Sequence, residues 1–384
     1  MENGKFKMEN VKCKMKNEKE FNNSQFSTLN SQLLYIHIPF CDSKCNYCAF
    51  NSYTNINHLK KEYFEAVKKQ YLSEVPNDTQ FKTLFIGGGT PSTMSAQFYE
   101  KLFNLISSNL KNCVEITIEC NPNTTYEWLK EIKNFGVNRI SFGVQSFNEE
   151  KLKFLNRNHS PSQAITAIQN AKKAGFENIN LDLIYSTAVD SKHLLENDLK
   201  TAFSLPVTHI SAYSLTIEEN TKWENDFTKR KYDENLEIWF IEKIKEKFPQ
   251  YEISNFGKPC IHNLGYWQGK EYTGIGAGAV GFKKWRMKNG EWKIFRYYTQ
   301  NNVYEYLKTP TRYEYEYLSN EDIKKEKVFL GLRSIVGFEE NILNDKEKAK
   351  VAILISEKKL YKQKNKIYSH NFLLADAITN FILI

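Results

Sequence analysis

The sequence predicts an α/β protein built on an incomplete (βα)6 barrel, followed by a smaller α+β C-terminal region. Short apolar segments of strand length alternate with longer segments of helical periodicity. Polar or glycine-rich residues follow most of the apolar segments, as they do where the strands of a parallel barrel end. A chain of 384 residues is also long enough to bury one large core and a second, smaller one.

Six apolar segments have the length and composition of strands. They are 33–38, 82–86, 114–118, 138–143, 178–184 and 207–215. Helical segments alternate with them, at 58–73, 96–109, 125–135, 149–155, 161–174 and 192–204. Because strand–helix repeats form parallel sheets with right-handed crossovers, six repeats predict a barrel that does not close. Gly136 and Gly175 stand where two of the helices should end, which supports this phasing.

The domain organisation follows from these patterns. Residues 1–30 are polar and lack a periodic apolar face, so we expect a disordered tail. Residues 31–220 form the partial barrel, and residues 221–312 follow it as a further region. Residues 313–384 read as a winged-helix-like C-terminal cap. Its predicted elements are helices at 320–333 and 345–357, a hairpin at 359–368 and a final helix.

Composition restricts the class of protein. The net charge of +8 follows from a Lys-rich composition, and no dense basic patch with interleaved aromatic residues stands out, so nucleic-acid binding is not expected. No segment approaches the roughly 18 apolar residues of a membrane helix, and the first residues lack the apolar core of a secretory signal. Three of the seven cysteines stand close together, which suits a reducing cytoplasm. The other four are expected to be free thiols: Cys13, Cys113, Cys120 and Cys260.

A cysteine motif follows the first predicted strand. Cys41, Cys45 and Cys48 can bind three irons of a cubane cluster, which leaves the fourth iron open to another ligand. A structural zinc site usually has a second pair of ligands, and a thioredoxin-type pair would leave Cys41 without a role. Buried structural cysteines are the remaining alternative, which the polar neighbours Asp42 and Lys44 disfavour. The motif therefore predicts a [4Fe-4S] cluster.

Polar residues also follow the later strands. Glycines at 87–89 would let backbone amides approach a ligand, although a flexible turn is the alternative. Glu119, Gln145, Arg157 and Asp182 offer partners for ammonium, hydroxyl and carboxylate groups. A surface ion pair is the alternative for each charged residue. Asp182 fits that alternative least well because it interrupts an apolar run.

The cysteine motif resembles that of the radical S-adenosylmethionine (SAM) superfamily, in which the open iron of the cluster binds SAM. Other segments resemble one subgroup, the anaerobic coproporphyrinogen oxidases and their HemW-type haem-chaperone relatives. They are Tyr35-Ile-His-Ile-Pro-Phe-Cys, Gly-Gly-Gly-Thr-Pro-Ser at 87–92, and the segments 136–147, 209–216 and 251–256. The resemblance implies that Cys41, Cys45 and Cys48 hold the cluster. It implies a SAM site formed by Tyr35, Tyr47, Gly88, Gly89, Thr90, Glu119, Gln145, Arg157 and Asp182.

Two features separate the branches of this subgroup. The oxidases carry a further cysteine two positions after the third cluster ligand, where this chain has Phe50. The chaperone branch carries His-Asn-x-x-Tyr-Trp, which residues 262–267 match. A histidine can supply an axial ligand to haem iron, and aromatic side chains can cover the macrocycle. The resemblance therefore implies haem contact within 221–312, although a structural role remains the alternative for the histidine. The implied contacts are His262, Asn263, Tyr266 and Trp267.

The resemblance implies a cytoplasmic haem chaperone that passes haem to acceptor proteins such as respiratory haem proteins, which it meets transiently at the membrane. The cluster and SAM would then be structural or regulatory, and the protein would not be an enzyme. The alternative is an oxygen-independent coproporphyrinogen III oxidase that uses a 5′-deoxyadenosyl radical. Phe50 and the motif at 262–267 count against it. One departure from the family is Ser186-Thr-Ala, where Gly-Leu-Pro is usual, and Cys260 is expected to be a bystander.

Overall fold

The computed structural model describes residues 33–287 and 290–384, so the predicted tail at 1–30 lies outside the described residues. Six parallel strands, adjacent in chain order, form the barrel as predicted. They are β1 Leu33–Ile38, β2 Thr83–Gly88, β3 Glu115–Cys120, β4 Arg139–Gln145, β5 Asn178–Tyr185 and β6 His209–Ser214. The helices between them are α1 Lys60–Glu74, α2 Ala96–Ile106, α3 Tyr126–Asn134, α4 Glu149–Phe154, α5 Pro161–Lys173 and α6 Lys192–Ser204.

The local sequence explains where these helices begin and end. Before four of them stands a serine or threonine whose hydroxyl accepts a hydrogen bond from an amide of the first turn. These N-caps are Ser95, Thr125, Ser160 and Ser191. Gly136 and Gly175, which follow α3 and α5, have φ angles of +103° and +94°. Glycine adopts this left-handed conformation readily, which confirms the two predicted helix ends.

The chain after β6 extends the same sheet at both edges. Its elements are α7 Glu234–Lys245, β7 Asn255–Gly257, α8 Ile261–Trp267, β8 Tyr272–Ile275, β9 Val280–Arg286, β10 Trp292–Thr299, α9 Val303–Lys308 and β11 Tyr313–Tyr317. The sheet has the order β11-β10-β9-β8-β1-β2-β3-β4-β5-β6-β7. Strand β7 pairs antiparallel with β6, and β8 pairs parallel with β1. Strand β11, within the segment predicted as the cap, pairs with β10 of this large sheet.

The C-terminal region is a smaller α+β unit, as predicted. It contains α10 Asn320–Leu332, β12 Phe338–Glu339, α11 Asp345–Ser356, β13 Leu360–Gln363, β14 Lys366–Ser369 and α12 Ala375–Leu383. Its three strands form a separate sheet in the order β12-β14-β13, above an apolar core of its own. Two backbone hydrogen bonds join this unit to the barrel, Ile253 N to Arg333 O and Ile335 N to Tyr251 O, both 2.9 Å.

Alternation along the strands separates the apolar core from the barrel lumen. Leu34, Ile36 and Ile38 of β1 pack into the core shared with the helices. The alternate residues Tyr35 and His37 face the lumen, because successive side chains of a strand point to opposite faces. Across the described parts of the chain, every helix is too short or too polar to cross a lipid bilayer.

Candidate functional site

The cysteine loop is fixed to the glycine turn after β2. Gly89 N donates to Ile38 O and Thr90 N donates to Phe40 O, each at 2.8 Å. The Sγ atom of Cys41 lies 3.3 Å from the hydroxyl of Thr90. These contacts bring the ends of β1 and β2 together beneath the first predicted cluster ligand.

The three cysteines of the motif lie near one another. Cys41 is buried, whereas Cys45 and Cys48 are half-buried. Burial raises the pKa of the Cys41 and Cys48 thiols, and the charges of the neighbouring cysteines raise it further. Among the described residues, no three His, Cys, Asp or Glu side chains converge on a point for a single metal ion. A cubane cluster needs no such point, because each thiolate binds a different iron.

The glycines after β2 are required by close packing. A Cβ atom on Gly88 would lie 2.6 Å from Cε1 of His37, and the φ angle of Gly88 is +117°. A Cβ atom on Gly89 would lie 2.9 Å from Phe40 O and 3.0 Å from Cys41 Sγ. The turn is therefore closely packed and leaves backbone, not side chain, beside the cysteine loop.

Two carboxylates lie deep in the lumen at the same end of the barrel. Glu119 accepts a hydrogen bond from Gly88 N at 3.0 Å, and Asp182 accepts one from Asn180 Nδ2 at 2.8 Å. Burial raises the pKa of Glu119 to about 8, and the charge of Asp182 contributes. Burial also raises the pKa of Asp182, against the charges of Arg139 and Arg157. Neither carboxylate has an ion-pair partner within 4.0 Å in the described chain, so a ligand ammonium group would fit here.

Arg157 and Gln145 complete this end of the lumen. The guanidinium of Arg157 donates to Cys45 Sγ at 3.1 Å, to Asn121 Oδ1 at 3.0 Å and to Gly143 O at 2.6 Å. Gln145 has a φ angle of +70° at a bulge in β4. The Nε of Arg157 and the Oε1 of Gln145 are buried without a hydrogen-bond partner. Unpaired buried polar atoms are costly, and a polar cofactor is a suitable partner for them.

The two candidate tyrosines occupy different walls of the site. The hydroxyl of Tyr35 lies 3.0 Å from Nδ1 of His37, the ring that lies against Gly88. Tyr47 lies in the cysteine loop, and its ring centre is 6.4 Å from that of Trp223. Trp223 also packs on Phe154 at 4.8 Å, so an aromatic cluster borders the loop.

Helix α8 closes the opposite end of the lumen and carries the motif at 262–267. His262 is completely buried, and burial lowers its pKa to about 3. Its Nδ1 lies 2.8 Å from the hydroxyl of Thr83, and its Nε2 lies 2.8 Å from the hydroxyl of Tyr266. Both ring nitrogens are therefore engaged, and an iron bond to His262 would require one of these hydrogen bonds to break.

A carboxylate from β3 fixes the start of α8. Glu115 accepts hydrogen bonds from Ile261 N at 3.0 Å and His262 N at 2.9 Å. The thiol of Cys260 donates to the same carboxylate at 3.3 Å. Because the first amides of a helix lack partners within the helix, a carboxylate there stabilises it. Asn263, Tyr266 and Trp267 are half-buried.

The structure brings the predicted SAM residues to one end of the barrel and the predicted haem residues to the other. Ring contacts run between the two ends. His37 and Tyr35 have centroids 6.0 Å apart, Tyr35 and Phe85 6.2 Å, and Phe85 and His262 5.4 Å.

Several residues that shape the site were missed by the sequence analysis. They are Glu115, Arg139, Lys151, Asp190, Asp198 and Trp223. Glu115 and Arg139 are charged residues within strand segments, as Asp182 is. A charge in an apolar strand was the signal for Asp182, and it could have identified these two residues as well. Lys151 gives no such signal, because its partners Asp190 and Asp198 are distant in sequence.

The departure at Ser186 lies in a loop that the chain after β6 holds in place. Ala188 N donates to Lys229 O at 2.8 Å, and Lys231 N donates to Ser186 O at 2.9 Å. Ser186 has a φ angle of +65° and is buried. Backbone pairing with residues 229–231 therefore fixes this loop, although its sequence is unusual.

Comparison with known proteins gives consistent similarities. The sequence profile described as Radical SAM superfamily matches residues 35–196. "Heme chaperone HemW" of Lactococcus lactis is 35% identical over 360 residues, which cover 87% of this chain and 92% of that protein. The protein of the same name from Bacillus subtilis is 36% identical over 320 residues, covering 79% and 83%. Coproporphyrinogen III oxidase from Escherichia coli superposes with a TM-score of 0.75 at 18% identity, covering 92% of this chain and 90% of that one. This last similarity concerns the fold alone.

Proposed function

We propose that this protein is a haem chaperone. The proposal follows from its family, because the chain belongs to the HemW family within the radical SAM superfamily. It binds haem and transfers it to haem-accepting proteins. The observation that carries this proposal is the extent of the similarity, which covers 92% of a relative named as a haem chaperone. It acts in the cytoplasm, where it reaches its acceptors, some of them transiently at the membrane.

The residues that would hold the cluster and SAM lie at the end of the lumen beside the cysteine loop. Cys41, Cys45 and Cys48 hold the [4Fe-4S] cluster, which when bound supplies an open iron for a chelating ligand. Glu119 and Asp182 accept hydrogen bonds from a ligand ammonium group or hydroxyls. Arg157 pairs with a ligand carboxylate. The remaining contacts are Tyr35, Tyr47, Gly88, Gly89, Thr90 and Gln145. Both cofactors have a structural or regulatory role.

Haem contact involves the α8 segment that carries His262, Asn263, Tyr266 and Trp267. The competing function, oxidation of coproporphyrinogen III, has less support at the cysteine loop. Phe50 stands where the oxidases carry a further cysteine, and 69% of its surface is exposed. An exposed phenylalanine offers neither a metal ligand nor an acid–base group.

A haem titration tests the proposal. Purified protein should gain a Soret band on addition of haem, and His262→Ala should weaken binding because the mutation disturbs α8. His370→Ala, which alters an exposed histidine of the C-terminal unit, is the control. No spectral change on haem addition would contradict the chaperone function.

A second experiment separates the chaperone from the oxidase. Anaerobic incubation with coproporphyrinogen III, SAM and a reductant should yield no protoporphyrinogen. Haem-loaded protein should instead lose its haem to an acceptor apoprotein. Clear product formation would assign the protein as an enzyme.

A further inference from the structure

We propose that three buried charged side chains, Lys151, Asp190 and Asp198, position the loops that hold SAM. We refer to these three side chains as the ion cluster. They act through the residues that they hold, so they are positioning residues and not ligand contacts. This inference rests on the proposed function, because it assumes that SAM binds at the cysteine-loop end of the lumen.

The burial of the ion cluster is the first observation. The Nζ atom of Lys151 lies 2.7 Å from Oδ1 of Asp190 and 3.8 Å from Oδ2 of Asp198. The side chains of Lys151 and Asp190 are 0% exposed, and that of Asp198 is 3% exposed. Separating these groups would leave charges buried without partners, which is costly. The ion cluster therefore requires one arrangement of the chain segments that carry its members.

Asp198 closes the turn after β4. Gln145, the last residue of β4, has a left-handed φ angle of +70° at the bulge in that strand. The carboxylate of Asp198 accepts hydrogen bonds from Ser146 Oγ at 2.7 Å and from Phe147 N at 2.6 Å. A left-handed conformation is unfavourable for a residue with a side chain, and surrounding contacts must hold it. Asp198 supplies two such contacts at the residues that follow Gln145.

Asp190 closes a similar turn after β5. Ser186 follows β5 directly and has a left-handed φ angle of +65°. Thr187 N donates to Oδ2 of Asp190 at 2.8 Å, and Asp190 N donates to Thr187 O at 3.0 Å. Strands β4 and β5 are neighbours in the sheet, so the two turns follow adjacent strands. The ion pair of Asp190 thus adds to the backbone pairing that fixes this loop of unusual sequence.

Lys151 joins the two turns and lies on α4, which leads to Arg157. After this helix, Leu155 N donates to Lys151 O and Arg157 N donates to Leu152 O, each at 2.9 Å. The guanidinium of Arg157 donates to Cys45 Sγ at 3.1 Å. A shift of α4 would therefore move Arg157 away from the cysteine loop.

The end of α4 also supports the cysteine loop directly. Asn46 N donates to Leu155 O at 3.3 Å, and Asn46 Nδ2 donates to Phe154 O at 3.1 Å. Asn156 Nδ2 donates to Lys44 O at 2.8 Å. The position of α4 therefore determines where this side of the cysteine loop lies.

Three parts of the predicted SAM site thus depend on the ion cluster. They are Gln145, Arg157 and the cysteine loop. Each lies on a different segment of the chain, and Lys151 fixes these segments relative to one another. Groups that are already in position lose less conformational freedom when a ligand binds, so the ion cluster should strengthen SAM binding.

Calorimetric titration of anaerobically reconstituted protein with SAM tests this role. Lys151→Met should weaken SAM binding by about tenfold or more, because the two turns lose their common partner. Haem affinity should stay within about twofold of the wild-type value, because the residues implied in haem contact lie at the other end of the barrel. Lys172→Met is the matched control, since it removes the lysine of an exposed ion pair with Glu177. It should change neither affinity.

A double variant separates positioning from stability. Adding Asp190→Asn to Lys151→Met should recover part of the free energy of unfolding, because the closest partner of the missing cation is then neutral. SAM affinity should stay at the level of Lys151→Met, since the link between the two turns is still absent. Recovery of SAM affinity in step with stability would overturn the inference. Wild-type SAM affinity in Lys151→Met would do the same.

Ser146→Ala tests the ion cluster without altering a charge, and it carries the test should Lys151→Met fail to fold. It removes the hydroxyl that donates to Asp198. SAM binding should weaken by about threefold and haem binding should not change. Unchanged SAM affinity would contradict the inference. Wild-type protein that binds haem but no SAM would also overturn it and would leave the chaperone function standing, because that function fails only if haem does not bind.

Discussion

Glu119 and Asp182 are half-buried carboxylates at the end of the lumen that the cysteine loop covers. Each accepts a hydrogen bond from its surroundings, yet their raised pKa values show that these bonds do not compensate for burial. A bound cation would lower both pKa values and stabilise the ionised forms. At the residue scale, the site is therefore prepared for a positively charged group.

Glu119 should make the stability of the ligand-free protein depend on pH. Its pKa is about 8 in the folded state against 4.5 ordinarily. The folded state therefore binds this proton more tightly, and the free energy of unfolding should fall as pH rises between these values. Between about pH 5.5 and about pH 7.5, the free energy of unfolding should fall less steeply for Glu119→Gln than for the wild-type protein. The two slopes should differ by up to about 1.4 kcal/mol per pH unit. Urea unfolding measures this. Glu100→Gln, on the exposed surface of α2, should follow the wild-type curve, and parallel curves for all three proteins would contradict the prediction.

Cys45 should be essential for the cluster. After anaerobic reconstitution, Cys45→Ala should lack the visible absorbance of an iron–sulfur cluster and should contain little inorganic sulfide, because one iron loses its thiolate. Cys113→Ala is the matched control, since Cys113 donates to Glu115 O outside the loop. Wild-type protein that holds zinc, or no sulfide, would refute the cluster assignment.

At the scale of elements, two loops meet where β1 and β2 end. Gly88→Ala would place a Cβ atom against His37 at a left-handed backbone position. Gly290 also has a positive φ angle, +88°, but among the described residues no atom beyond its own chain neighbours would lie within 4 Å of such a Cβ. Gly88→Ala should therefore cost about 2 kcal/mol or more, whereas Gly290→Ala should cost about 1 kcal/mol. Denaturant unfolding provides the comparison, and equal costs would show that contact with His37 is unimportant.

A buried ion cluster joins α4, α6 and the loop after β5. Lys151 Nζ lies 2.7 Å from Asp190 and 3.8 Å from Asp198, and Asp198 accepts a hydrogen bond from Ser146 at 2.7 Å. Ser146 follows Gln145, so this cluster supports a predicted SAM residue.

Removal of one charge from the cluster should be costly. Lys151→Met should lower the free energy of unfolding by about 3–5 kcal/mol, because it leaves carboxylates buried without their cation. Adding Asp190→Asn should recover part of this loss, since the closest pair is then neutral. A double variant less stable than Lys151→Met would contradict this explanation. Chemical denaturation of the three proteins makes the measurement.

At the scale of the whole molecule, the two proposed sites occupy opposite ends of one barrel. From Thr83 to Gly88, strand β2 spans five residue steps, or about 17 Å. Substitutions this far apart usually have additive effects, within about 0.5 kcal/mol.

We therefore expect SAM and haem to bind independently. Glu119→Gln should weaken SAM binding and leave haem binding unchanged, and His262→Ala should do the reverse. Calorimetric titration of single and combined variants gives the coupling energy. A coupling energy above about 1 kcal/mol would contradict independent binding. It would show that the chain of ring contacts from His37 through Tyr35 and Phe85 to His262 transmits changes between the sites.

The sequence by itself determined the order and approximate length of the barrel elements. The spacing of apolar residues that distinguishes strands from helices is a local property, and capping residues and glycines mark where the helices begin and end. It also predicts the cysteine loop and Asp182 as parts of the site, since three close thiols and a charge in an apolar strand are each visible within one short segment. Only the tertiary structure decided the environment of His262. Thr83 and Glu115, which fix it and α8, come from other strands of the sheet. The pairing of β8 with β1 was equally invisible, because contacts between residues far apart in the chain depend on how the sheet curves and packs.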